Sequence, residues 1–123
     1  MSVQRLCVIV GLLLCAVPAS TPALAQGNMV IERAQRASSL SGIVEDGMGA
    51  AIAGVAVAEC SAHFNDCVTV ERTDKDGRFN VRSARKGRVH NLQFLSLGMD
   101  QERVTVTLSH FSRKLRIKLV VGT

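Results

Sequence analysis

From Leu40 onward, apolar and polar side chains alternate with a period of two, and no stretch shows a convincing helical period. Alternation of that kind predicts strands buried on one face. Seven are expected, over residues 40–45, 54–59, 68–72, 78–82, 91–94, 103–109 and 114–119. The last two carry the clearest pattern. Val104, Val106 and Leu108 interleave with Arg103, Thr105, Thr107 and Ser109, and Leu115, Ile117 and Leu119 interleave with Lys114, Arg116 and Lys118. The dipeptide Asp46-Gly47 and the run Asp74-Lys75-Asp76-Gly77 punctuate the chain as turns. Short strands at spacings near ten residues describe two antiparallel sheets packed face to face, an all-β sandwich.

Before Leu40 the pattern changes twice. One positive charge, Arg5, precedes an apolar run from Leu6 to Val17, and Pro18 to Pro22 then lead into Ala23-Leu24-Ala25. This is the layout of an export signal, with cleavage expected after Ala25 and no membrane span left behind. The run ends at Pro18, short of the roughly 20 apolar residues that a spanning helix needs. Residues 1–25 are therefore read as signal peptide, 26–39 as a flexible N-terminal arm and 40–121 as the folded domain. A secreted or periplasmic location follows.

Export alters the cysteine arithmetic. Of four cysteines, Cys7 and Cys15 lie in the signal, so Cys60 and Cys67 remain as a pair in a compartment where disulfides persist. Placing them opposite each other across a hairpin pairs Ala58 with Thr69, Val57 with Val70 and Val55 with Arg72, and gathers Val55, Val57, Val68 and Val70 on one face. A bond closing this eight-residue loop is expected to stabilise the fold by about 2.5 kcal/mol in the chain-entropy model. The Cys-x6-Cys spacing lacks the Cys-x-x-Cys signature of a redox-active or metal-binding dithiol.

The segments Leu40-Ser41-Gly42-Ile43-Val44-Glu45-Asp46, Gly49 to Val57, Thr73-Asp74-Lys75-Asp76-Gly77-Arg78-Phe79 and Leu92 to Gly98 together resemble the carboxypeptidase regulatory-like domain. The Thr-Asp-x-Asp-Gly-x-Phe turn is the most specific piece, while Ala51 stands where that family usually has Pro. The resemblance spans about residues 40–121 and implies a seven-stranded antiparallel Greek-key β-sandwich of transthyretin-like type. It also implies a noncatalytic module that binds protein or glycan in the cell envelope.

Composition narrows the chemistry. The chain of 123 residues is 47% apolar with only four Phe and no Trp or Tyr, too short for two domains and poor in aromatic anchors. No His-x-x-Glu zinc site is visible around His63, His90 or His110, so a catalytic role is not expected; a small transthyretin-like hydrolase using His63 or His90 is the alternative. Asp66, Asp74 and Asp76 are too few for a calcium site, and Asp-x-Asp-Gly reads as a turn. His63 with Asp66 reads as a polar loop tip rather than a zinc site. No cofactor is expected.

Charge leaves one open question. The net charge is +5, or +4 once Arg5 departs. Arg85, Lys86 and Arg88 cluster in one connection, and Arg113, Lys114, Arg116 and Lys118 mark the final strand. These seven residues are the candidate anion-binding set, directed at acidic envelope polymers or lipid head groups. Their plainer role is to keep an edge strand soluble. Nucleic acid is disfavoured, because export separates the protein from it and no aromatic ladder interleaves with the cations.

Overall fold

The computed structural model describes residues 29–122. The expected signal segment 1–25, with Cys7 and Cys15, and the first part of the expected arm, 26–28, lie outside the described residues. Eight strands form: β1 (Val30–Ala37), β2 (Ser41–Glu45), β3 (Ala56–Cys60), β4 (Cys67–Arg72), β5 (Arg78–Asn80), β6 (Val89–Leu95), β7 (Gln101–Leu108) and β8 (Leu115–Lys118). A 3-10 turn, Ala62–Phe64, interrupts the β3–β4 connection. The strands make a five-stranded sheet, β1-β7-β6-β3-β4, and a three-stranded sheet, β5-β2-β8.

The two sheets share one core. Val57, Leu92, Phe94, Val104 and Val106 from the larger sheet meet Val44, Phe79, Leu115 and Ile117 from the smaller, all buried. Phe79 and Phe94 meet edge to face across the interface, with ring centroids 5.2 Å apart. The alternation read along β6, β7 and β8 is the alternation that sorts side chains between core and solvent.

Three expectations need correction. Residues 30–37 are no loose arm: they form β1, in register with β7 from Val30↔Gln101 to Ala37↔Leu108. Among the described residues the strand count is thus eight. The sheets are also mixed rather than wholly antiparallel, because β1 runs parallel to β7 and β2 runs parallel to β8. The reason is topological. Both β1–β2 and β7–β8 cross from the large sheet to the small one at the same edge, and two such corners lying side by side make their strands parallel. Hydrogen bonds from Ser109 N to the Ala37 carbonyl (2.8 Å) and from Ser38 N to the Arg113 carbonyl (3.2 Å) join the corners.

The third correction concerns the cysteine hairpin. Cys60 and Cys67 are bridged as expected, with an S–S distance of 2.07 Å and Cα atoms 4.0 Å apart, and Ala58 opposes Thr69. Beyond that point a bulge intervenes, so Val57 opposes Glu71 instead of Val70, and Ala56 instead of Val55 opposes Arg72. Val68 and Val70 are exposed while Val55 and Val57 are buried. Five strands facing three leave the outermost strand β4 without a cover, so its valines have no opposing layer.

The outer face of the large sheet is furnished by the protein itself. Gln93 Oε1 accepts from Gln101 Nε2 (2.6 Å) and Arg103 Nε (3.2 Å), and the Arg103 guanidinium lies 5.2 Å from the Phe64 ring centroid. The cysteine loop thereby folds back over its own sheet. The outer face of the small sheet is left open.

Candidate anion-binding groove

That open face is built by three strands in register. Arg78 on β5 pairs with Ile43 on β2, which pairs with Arg116 on β8; one step along, Asn80 pairs with Ser41. Alternation turns Phe79, Val44, Leu115 and Ile117 inward, so Arg78, Ile43 and Arg116 point outward as one cross-strand row. With strands about 4.8 Å apart, two guanidinium-bearing residues flank an apolar floor at a backbone separation of about 10 Å.

Around this row lies a groove of about 590 Å³, lined by Arg72, Arg78, Arg113, Lys114 and Arg116, with Glu71 and Asp74 as its acids. Both acids are engaged. The Asp74 carboxylate accepts from the backbone N–H groups of Asp76 (2.8 Å) and Arg78 (2.9 Å), and these bonds, the one from Arg78 foremost, hold its pKa below the usual range. Glu71 Oε2 accepts from Asn80 N at 3.4 Å. Among the cations, Arg116 donates to both oxygens of Glu45 (3.2 and 3.0 Å) and Arg72 donates to the Gly54 carbonyl. Arg78, Arg113 and Lys114 make no side-chain hydrogen bond or ion pair among the described residues. A groove with spare cations and committed acids favours an anion.

The seven cations expected from the sequence divide among three places. Arg113, Lys114 and Arg116 line the groove. Lys118 stands opposite Glu45 near Asp46, whose pKa it helps to lower behind the dominant backbone bonds from Ala50 and Met48. Arg85, Lys86 and Arg88 are exposed in the 81–88 connection, where Arg88 donates through Nε and Nη2 to the Leu108 carbonyl at 3.3 Å. Arg72 and Arg78 complete the groove, and the sequence reading missed both. Their outward positions were legible from alternation; that β2 lies between β5 and β8 was not.

A second cluster went unread altogether. Glu59, Ser83 and His90 meet at one margin of the core, with His90 Nδ1 3.1 Å from Glu59 Oε2 and Ser83 donating its hydroxyl proton to the same oxygen. The composition is that of a hydrolytic triad, but the wiring differs. His90 Nε2 faces the Gly87 carbonyl at 3.0 Å, and Nδ1, the nitrogen nearer Ser83, is directed at Glu59. In the Ser-His-acid arrangement the serine and the acid take opposite ring nitrogens, whereas here Ser83 and Glu59 share the Nδ1 side and Nε2 is turned to a backbone carbonyl. The cluster braces the 81–88 connection against β3 and β6. His63 sits apart, exposed at the tip of the cysteine loop with φ at 60°.

Asp66 lies at the opposite end of the molecule from Asp74 and Asp76, so these three do not converge. Among the described residues, no three His, Cys, Asp or Glu side chains gather as a metal site, and no helix is long and apolar enough to cross a membrane. No family model matches this chain, and no curated protein matches it.

Proposed function

We propose that this protein is an exported, noncatalytic binding module that grips an anionic polymer of the cell envelope along the open face of its three-stranded sheet. The class to which we assign it is the carboxypeptidase regulatory-like sandwich of transthyretin-like, Greek-key type. The two sheets around one core and the Asx-bonded turn at Asp74 to Gly77 support that class. The observation that carries the ligand chemistry is the groove itself, where Arg78, Arg113 and Lys114 stand uncommitted around Ile43. An acidic polysaccharide suits this arrangement: carboxylates or sulfates meet the cations, while Ile43 supplies an apolar patch for a sugar ring.

Titration of the protein with polygalacturonate and with dextran sulfate tests the reading. Binding is expected in dilute buffer and is expected to weaken steeply as salt screens the charges. Arg78→Glu is expected to lower affinity about tenfold, as reversing one close charge in a partly screened site implies. Absence of binding to either polymer in dilute buffer, or full affinity in Arg78→Glu, overturns it.

A further inference from the structure

Strand directions assign every loop to one end of the sandwich or the other. Connections 38–40, 61–66, 81–88 and 109–114 lie at one end; connections 46–55, 73–77 and 96–100 lie at the opposite end. Charge divides along the same axis. The connections at the first end carry six Lys and Arg against Asp66 alone; those at the second carry Asp46, Asp74, Asp76 and Asp100 against Lys75, with Arg72, Arg78 and Lys118 at the adjoining strand ends. The modest net charge conceals a molecule with a cationic and an anionic pole.

At the cationic pole stands Phe111, fully exposed. The other three Phe residues are accounted for, Phe79 and Phe94 in the core and Phe64 against Arg103. Phe111 occupies the tip of a tight turn closed by Ser112 N donating to the Ser109 carbonyl (3.2 Å). The turn is braced through Ser109 N to Ala37, Ser38 N to Arg113, and Leu108 N to the Arg88 carbonyl at 2.7 Å. An aromatic ring is thus held out into water by a fixed frame. Beside it is a hollow of about 580 Å³ lined by Ser38, Arg88, Leu108, Ser109, His110 and Phe111. Two hydroxyls, an imidazole and a guanidinium around one hollow are donors suited to a phosphate diester. Met48 and Leu97 are equally exposed, but they belong to the aspartate-bearing pole, which an anionic surface repels.

We propose that this pole docks on an anionic phospholipid bilayer, with Phe111 inserted at the level of the glycerol backbone and a lipid phosphate seated in the hollow beside Arg88. Charge complementarity selects the bilayer over an apolar protein surface. Arg85, Lys86, Arg113 and Lys114 surround the tip, and each cation near an anionic bilayer adds to the attraction. Interfacial anchoring by a few apolar side chains within a cationic field is marginal, reversible and steeply dependent on lipid charge. The site shares the flanking cations Arg113 and Lys114 with the polymer groove but is centred on Phe111 and Arg88, and needs neither Arg78 nor Ile43.

Cosedimentation with vesicles of phosphatidylglycerol and phosphatidylcholine, against vesicles of phosphatidylcholine alone, tests the proposal. The protein is expected to sediment with the anionic vesicles only. Phe111→Ala is expected to reduce partitioning about tenfold, as loss of one interfacial aromatic contact implies, while keeping full affinity for polygalacturonate. Arg78→Glu is expected to show the converse. Folding of both variants is checked by circular dichroism, and since Phe111 packs against nothing in the core, its replacement leaves stability unchanged. Failure of the wild type to bind anionic vesicles overturns the proposal. So does undiminished vesicle binding by Phe111→Ala, which would leave a diffuse charge attraction, or competition of vesicle binding by millimolar glycerol phosphate alone, which would assign the hollow to a soluble phosphate.

Discussion

Gly42 is the second residue of β2, where it pairs with Leu115 of β8. A Cβ at this position would be driven into the Leu115 carbonyl oxygen, which is backbone and cannot swing aside. The close approach of β2 to β8 therefore depends on a residue without a side chain. Gly42→Ala is expected to destabilise the protein by about 3 kcal/mol, as overpacking of a rigid contact does, read as a lower urea midpoint. An unchanged midpoint would show that the strands separate without cost. Gly77 has a related role, with φ at 75° and a hypothetical Cβ only 2.6 Å from the Val44 carbonyl, which explains Gly in the Asp-x-Asp-Gly turn.

Glu102 is the odd residue of the core. Its side chain is 2% exposed, Oε2 bonds Arg33 Nε at 2.8 Å, and Oε1 is buried without a partner. Burial pushes its pKa up against the opposing pull of Arg33. A carboxyl that holds its proton more tightly when folded contributes stability below the ordinary carboxylate range, and that contribution is lost as pH rises through the folded value. Asp46 and Asp74, with lowered pKa values, act oppositely: their contribution is present above the ordinary range and lost as pH falls through the folded values. Glu102→Gln is expected to remove the loss of stability on the rising side, measured as urea midpoints from about pH 4 to 7. A profile parallel to the wild type's would refute this account.

At the level of elements, the legible strands were those whose inward positions are mostly apolar. β1 was illegible for the opposite reason. Its inward residues, Ile31, Arg33, Gln35 and Ala37, include two polar side chains, because Arg33 meets the buried Glu102 and Gln35 Nε2 donates to the Arg116 carbonyl (3.2 Å). Ionic and polar contacts replace grease, and the period of two disappears from view. β4 erred the other way: it looks greasy because Val68 and Val70 alternate, yet it lies uncovered at a sheet edge. Pairing of the cysteines was legible from spacing and compartment; the bulge was not, since nothing in residues 67–72 marks the extra residue. Replacing Cys60 and Cys67 together by Ser is expected to cost about 2.5 kcal/mol in urea denaturation, from an eight-residue loop released in the unfolded chain. A loss below about 0.5 kcal/mol would show that the bulged hairpin is already closed in that state.

For the whole molecule, alternation fixes two-layer packing but says little about which strands become neighbours. The stripe Lys114, Arg116, Lys118 was visible, as was the basic connection around Arg85. Arg78 and Arg116 became partners only once β2 had been laid between their strands. The buried union of Glu59, Ser83 and His90, drawn from three separate segments, had no local signature at all. Charge shows the same division. A formal balance of +5 is read in one line, whereas its sorting into two poles depends on strand direction.

Those directions also bring the ends of the described chain together. Met29 N donates to Asp100 Oδ1 (3.1 Å), and Asp100 N donates to the Val120 carbonyl (2.8 Å), so the first and last turns of backbone are stitched to one aspartate. Both leave the body on the side carrying the acids. Anything tethered through either extremity, whether a neighbouring domain, a surface or an affinity handle, would stand behind the sandwich and hold Phe111 outward, like the head of a pin.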